Sequence, residues 1–233
     1  MQPLDFIVLF STKPNVMRNY LLPVVTILAL SPAACQEKPV AQEAAVTTVA
    51  ERQVGGPCEC CEAWREGLPG QLSWQTTIAP ADEPGESLEV SGVLFQKDGK
   101  TPAAGVILYV YHTDNEGRYS RGTGATECAR RHGRLRGWMK TDANGRYRFR
   151  TIRPASYPNS TAEQHIHPII KEPGLKEYWI DEFTFDDDPL LTSKVRKRMQ
   201  NRGGSGILKP GRNAEGVWVA ERNIVLGENV PGY

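Results

Sequence analysis

Two histidines one residue apart, His165-Ile166-His167, and two tyrosines upstream, Tyr119 in Gly117-Arg118-Tyr119 and Tyr157 in Ala155-Ser156-Tyr157-Pro158, are the residues of this chain best suited to chemistry. In an extended strand alternate side chains share a face, so His165 and His167 aim two imidazole nitrogens at one point while Ile166 turns into the opposite layer. Pro158 restricts Tyr157 to extended backbone. Neutral imidazole serves several transition metals, whereas a deprotonated phenol is a hard anionic oxygen that prefers a hard, highly charged ion. Two tyrosines with two histidines therefore point to Fe(III).

Strands must carry these groups. From Leu88 the hydrophobic period is two: Leu88, Val90 and, past Gly92, Leu94 share a face, and Asp98-Gly99 marks a turn. Val106, Leu108 and Val110 alternate with Ile107, Tyr109 and Tyr111 in a strand apolar on both faces, and Asn115-Glu116-Gly117 then turns the chain and delivers Tyr119. Asn144-Gly145 predicts a short hairpin between residues 138–141 and 146–152, with Tyr147, Phe149 and Thr151 inward and Arg146, Arg148 and Arg150 on a solvated face. Residues 178–185 and 217–226 read as two further strands. Between them, Asp188 is expected to cap a helix that begins at Pro189, carries Leu190, Leu191, Val195 and Met199 toward the core, and ends near Gly203. Residues 62–66 read as a turn of helix. Many short strands with one late helix predict an all-β fold: a mostly antiparallel β-sandwich with long loops and one short helix in the C-terminal half.

The chain has 233 residues, 39% of them hydrophobic, 17 prolines and a net charge of +1. This composition fits a loop-rich globular domain, and the balanced charge argues against a nucleic-acid partner. Residues 1–35 read as a secretory signal: Met17-Arg18-Asn19 is a short charged head and a candidate start, Leu21 to Leu30 an apolar core, and Ser31-Pro32-Ala33-Ala34-Cys35 a processing site of lipoprotein type. Residues 36–54 read as a tether and 55–233 as the folded domain. The expected location is beyond the inner membrane, on the periplasmic side or the cell surface, with a lipid on Cys35 as the membrane link. Cys58, Cys60, Cys61 and Cys128 are an even set suited to an oxidising compartment, with three possible pairings open.

Gly117-Arg118-Tyr119, the later Tyr157-Pro158 and His165-Ile166-His167 resemble the intradiol ring-cleavage dioxygenases, the protocatechuate and catechol dioxygenase family. The similarity runs from Ser91 to Leu191 and includes residues 141–149 and Asp188-Pro189-Leu190. It implies that Tyr119, Tyr157, His165 and His167 hold Fe(III) with a water or hydroxide. It further implies that an aromatic diol displaces Tyr157, that the freed phenolate accepts a substrate proton, and that O₂ is incorporated to give a cis,cis-muconate-type diacid. Tyr119 and Tyr157 thus carry catalytic roles as well as metal. Well-known members place an arginine shortly before the first histidine. Here Thr161-Ala162-Glu163-Gln164 holds none, and Arg134, Arg136 and Arg153 are the candidates to supply the charge. The short connection from Tyr157 to His165 implies a more open pocket. Tyr111, His112 and Gln164 read as packing or surface residues. His132, in Arg130-Arg131-His132-Gly133-Arg134, reads as part of a solvated basic loop. Ser91-Gly92-Val93, Asp98-Gly99 and residues 141–149 also resemble transthyretin-like surface modules, which share the sandwich but need no such tyrosine and histidine set; a binding module without catalysis is the alternative.

Overall fold

Apolar alternation and turn signals produce twelve strands among the described residues of the computed structural model, which are 50–121 and 126–233. The expected signal segment with Met17 and Cys35, and most of the expected tether, lie outside them. Numbered in chain order, the first sheet holds β1 (Gln75–Thr77), β2 (Ser87–Phe95), β5 (Arg146–Ile152), β10 (Gly211–Arg212) and β11 (Trp218–Glu221), in the order β1-β5-β2-β11-β10. Strand β12 (Ile224–Val225) runs beside the end of β2. The second sheet holds β3 (Ile107–His112), β4 (Arg136–Lys140), β6 (His165–Lys171), β8 (Phe183–Phe185) and β9 (Ile207–Leu208), in the order β4-β3-β6-β8-β9, and β7 (Tyr178–Trp179) pairs with β6. The long pairings, β2 with β5 and β3 with β4 and β6, are antiparallel. The parallel ones are shorter and involve β1, β9, β11 and β12.

The core lies between the sheets. Leu88, Val90, Leu94, Tyr147 and Phe149 of the first meet Leu108, Val110, Ile166, Ile170 and Phe183 of the second, and Phe149 packs edge-on against Phe183 at 5.9 Å. Gly92 breaks the apolar run of β2 for a steric reason: a Cβ there would stand 1.8 Å from the Arg222 carbonyl oxygen. That carbonyl also accepts from the Tyr147 hydroxyl at 2.7 Å.

A second, smaller core covers the outer face of the second sheet. Ile107, Tyr109 and Tyr111 of β3, Trp138 of β4 and Ile169 of β6 pack under Cys61 and Trp64 of a 3-10 turn, Cys61–Arg65. The double apolar face of β3 thus serves two different cores. Trp138 Nε1 donates to the Trp64 carbonyl at 2.5 Å, and disulfides Cys58–Cys61 and Cys60–Cys128 tie this covering segment down. The second bond anchors helix α1 (Glu127–His132).

Four local expectations are corrected. Asn144-Gly145 does turn the chain, with Gly145 at φ 71°, but β4 and β5 belong to different sheets, so the turn is a corner and not a hairpin. The packing of Gly145 explains this: its carbonyl accepts from Leu94 N of β2 at 2.8 Å, which draws the turn onto the first sheet. Residues 178–185 and 217–226 each divide into two short strands, β7 with β8 and β11 with β12. The helix expected from Pro189 is reduced to α2 (Ser193–Arg196), capped by Thr192 and burying no side chain. Asp188 instead accepts from Leu190 N (2.9 Å) and Gln164 N (2.6 Å), which fixes a turn and braces the start of β6. Finally, the basic run at 130–134, read as loop, is mostly helix. Thr126 Oγ1 caps it by accepting from Ala129 N, Glu127 lies in its first turn, Arg130, Arg131 and His132 in its last, and Gly133 at φ 70° ends it.

Candidate functional site

The alternation of β6 sends Ile166 and Ile170 into the main core. His165 and His167 therefore emerge on the outer face, opposite Thr184 of β8 and Tyr111 of β3 respectively. Two loops bring the tyrosines to them. In the first, the Asp114 carboxylate accepts from Glu116 N (2.9 Å), Arg118 N (3.0 Å) and Ser120 Oγ (2.5 Å), folding the segment that presents Tyr119. This loop is pinned to the one carrying Tyr157: Thr113 Oγ1 donates to the Ala155 carbonyl (2.7 Å) and Ala155 N to the Asp114 carbonyl (3.1 Å). Gly117, at φ 77°, makes the approach possible, since a Cβ there would lie 1.9 Å from the Ser156 carbonyl oxygen.

Four side-chain atoms converge as a result. Tyr119 Oη lies 2.8 Å from Tyr157 Oη, Tyr157 Oη lies 2.9 Å from His165 Nε2 and 3.4 Å from His167 Nε2, and the two Nε2 atoms are 3.1 Å apart. The far nitrogens fix the tautomers. His165 Nδ1 lies 2.6 Å from the Glu163 carbonyl, which only accepts, so Nδ1 carries the hydrogen and Nε2 a bare lone pair. His167 Nδ1 faces the Glu182 carboxylate at 3.5 Å, with the same consequence. With both imidazoles in the neutral form that binds metals, the two Nε2 lone pairs face one point, which a cation would fill. Neighbouring ligands about 2.1 Å from one ion stand about 3.0 Å apart at right angles and about 3.4 Å apart in a tetrahedron, close to the separations observed. The donor set fits a transition metal, and its two phenols favour a hard one.

Burial sets the electrostatics of His165 and the two tyrosines. Burial lowers the His165 pKa, with the charge of His167 adding to it, so His165 is uncharged at neutral pH. Burial raises both tyrosines, and donating to Tyr157 raises Tyr119 further. Burial alone would raise Glu182, but its hydrogen bond and charge interaction with His167 hold it below the usual carboxylate range. Glu182 was not legible in the sequence; it comes from the segment between β7 and β8, and only the pairing of β8 with β6 brings it near.

A cleft of about 460 Å³ opens on this cluster, lined by Tyr111, His132, Tyr157 and His167 with Arg121 and Arg131 among the charged groups. None of the three expected arginines lines it. Arg134 pairs with Glu83 at 2.5 Å. Arg153 grips Asp187 with both terminal nitrogens and donates Nε to Gln164 Oε1 at 2.9 Å, supporting the residue before His165. Arg136 lies against Trp138. Positive charge reaches the cleft from Arg121 and from α1, through Arg130 and Arg131, the last paired with Glu59. Tyr111 stacks on His167 at 4.7 Å, a wall of the cleft and not mere packing. His112, by contrast, is buried as expected, with Nδ1 donating to the Thr113 carbonyl and Nε2 accepting from Thr151 Oγ1, both at 2.7 Å.

A family model described as dioxygenase matches residues 70–202. Catechol 1,2-dioxygenase 1 of Acinetobacter lwoffii is 30% identical over 128 residues, covering 47% of this chain and 39% of the relative. The protocatechuate 3,4-dioxygenase beta chain of Burkholderia cepacia is 31% identical over 113 residues, covering 46% and 48%. The chain thus spans less than half the length of these two relatives. Among solved structures, the dioxygenase domain of a dioxygenase and carbohydrate-binding protein fusion from Streptomyces sp. SirexAA-E is similar with a TM-score of 0.51 and 25% identity, over 69% of this chain and 94% of that one.

Proposed function

The chain belongs to the intradiol dioxygenase family, and from that premise we propose that it holds one ferric ion and cleaves a catechol-type diol between its hydroxyl-bearing carbons with O₂, to a cis,cis-muconate-type diacid. Tyr119, Tyr157, His165 and His167 are the ligands in this reading. The observation that carries it is the convergence of four donor atoms, two phenol oxygens and two imidazole nitrogens, linked by separations of 2.8, 2.9, 3.1 and 3.4 Å. Ferric iron held by these four residues would supply Lewis acidity, making the ring of a bound diol reactive toward O₂.

The protein's own groups do the rest. His165 and His167 stay fixed by a strand and by Glu163 and Glu182, so they hold position throughout. Tyr157 sits on a loop and its hydroxyl touches the other three donor atoms. It is therefore the group to give way to a diol oxygen, and the freed phenolate takes the proton that oxygen sheds. The Tyr111 ring offers an aromatic surface beside His167, and Arg121 and Arg131 make the cleft favourable to anions.

Purified protein reconstituted with iron is expected to bind about one ferric ion per chain, as one ligand set requires, to be red-brown from tyrosinate charge transfer, and to convert a diol to a product heavier by O₂. A fully iron-loaded but colourless protein would contradict tyrosinate ligation. Failure to hold iron at all would leave a binding module. The proposed setting is outside the cytoplasm with a lipid on Cys35; two disulfides support an oxidising compartment, and intact mass of the membrane-extracted protein tests the lipid.

A further inference from the structure

His132 is the one histidine of the cleft outside the donor set. It is 3% exposed and its ring lies 3.7 Å from that of Tyr111 at 7° from parallel; Tyr111 stacks in turn on His167. The stack links His132 to the donor set through Tyr111, and His132 lines the same cleft as Tyr119, Tyr157 and His167. Burial, with the charges of His167, Arg136 and Arg131 added, pushes its imidazole down to about 3, so the ring is neutral at pH 7 and carries a single N–H.

Tyr109 decides which nitrogen holds it. The Tyr109 hydroxyl stands 3.0 Å from His132 Nδ1. Beside that hydroxyl lies the Arg136 guanidinium, whose charge opposes the rise that burial imposes on the phenol, and whose buried Nη1 reaches no acceptor. The guanidinium, which donates and cannot accept, attracts the hydroxyl's lone pairs and turns its O–H away, toward the acceptor on the other side, which is His132 Nδ1. Tyr109 then donates and His132 must carry its hydrogen on Nε2. That nitrogen has no hydrogen-bond partner among the described residues, and it is the ring edge left for the cleft.

We propose that His132 is a catalytic residue of the diol site: its Nε2–H, oriented by Arg136 through the positioning residue Tyr109, donates to an oxygen of the bound diol on which negative charge accumulates. The proposal rests on the diol-cleavage reading above. A donor held in place by a buried relay costs no reorganisation when charge develops, which is where such donors act most strongly.

Nitrogen-15 histidine spectra of the metal-free full chain test the relay without turnover. The expected result is an Nε2–H tautomer for His132 that becomes mixed in Tyr109→Phe; an Nδ1–H tautomer in the unsubstituted protein overturns the proposal. Anaerobic titration of the iron-loaded protein with 4-nitrocatechol tests the contact. His132→Phe, which keeps a ring against Tyr111, should weaken binding about tenfold, as for one lost hydrogen bond to a charged oxygen, at unchanged iron content. His132→Gln, whose amide places an N–H near the same point, should recover most of it. Equal affinity in His132→Phe sinks the role of His132 and leaves the diol reading standing. An unsubstituted protein that holds iron but ignores 4-nitrocatechol removes both.

Discussion

Strands β5 and β6 follow the same alternation and meet different ends. In β5, Tyr147 and Phe149 enter the core while Arg146, Arg148 and Arg150 face outward; in β6, Ile166 and Ile170 enter while His165 and His167 face outward. The arginine face stays open, its guanidiniums lying over Trp74 or paired with Glu89. The histidine face is roofed by the Tyr119 and Tyr157 loops, and close by by the 3-10 turn and α1, which Cys60–Cys128 joins. Period-two patterning settles which side chains are buried. What an outward pair of residues can do depends on the distant chain brought over it.

The contrast breaks most sharply under substitution of the outward residues. His165→Ala or Tyr119→Ala should lower ferric-ion affinity by more than about a hundredfold, beyond what supporting residues around a metal contribute, whereas Arg148→Ala leaves metal content unchanged. Tyr157→Phe is expected to keep part of the metal and lose turnover. Iron analysis after dialysis, with the visible band, reads all four. Equal iron loss in Arg148→Ala would mean the two faces are not independent. The next effect concerns the roof. Cys60–Cys128 closes a separation of 68 residues and Cys58–Cys61 one of 3, so chain entropy predicts that Cys60→Ser/Cys128→Ser costs about 4 kcal/mol and Cys58→Ser/Cys61→Ser less than about 2 kcal/mol. Urea midpoints of the metal-free proteins measure both, and the reverse order would contradict a roof held mainly by Cys60–Cys128 and leave the contact of Trp64 with Trp138 to hold it.

Much of this was readable from residue types. The two faces of β5 and β6, the phase of β2 across Gly92 and the double apolar face of β3 all follow from the period, because burial is decided locally once a strand forms. Asp114 carries a usable local signal: Asp114-Asn115-Glu116-Gly117 has the same Asp-x-x-Gly form as Asp142-Ala143-Asn144-Gly145, and in both the aspartate caps the backbone of its own loop. Helix α1 likewise announced itself through Thr126, Glu127 and Gly133, but its short basic run looks like a loop when the cap is overlooked. Other features were not local at all. Whether Asn144-Gly145 closes a hairpin or turns a corner depends on which sheet receives the next strand. Glu182 and the arginines of the cleft act through pairings that no spacing encodes.

The two sheets are also joined by a titratable bond, and it offers a smaller test. His112 on β3 accepts from Thr151 on β5, and burial pushes its imidazole from the ordinary 6.5 down to about 4. The unfolded chain therefore takes up a proton below pH 6.5 that the folded protein refuses until about pH 4. Stability from this group is complete above 6.5, falls as the pH drops through that window, and levels off below it. At about 1.4 kcal/mol per unit the loss is about 3 kcal/mol. Buried His132 pulls in the same direction, so the difference in slope between the unsubstituted protein and His112→Gln isolates the bridge. Identical slopes in urea titrations from pH 7 to 4 would rule it out as the source.

The least effect is expected on the open face. Arg150 Nε lies 2.6 Å from Glu89 Oε2, good geometry, yet the Arg150 side chain is 65% exposed and Arg148 competes for the same carboxylate at 3.8 Å. Water screens such a pair and two long side chains lose freedom to form it, so a double-mutant cycle on Arg150→Ala and Glu89→Ala should give a coupling of roughly 0.2–1 kcal/mol that shrinks in salt. The size of that coupling measures how bare the face is. A value of about 2 kcal/mol or more, insensitive to salt, would require the pair to be desolvated, and the only way to desolvate it is to cover β5 as β6 is covered. In that case the arginine row would be a binding surface in its own right, and the division between an open sheet and a roofed one would fail.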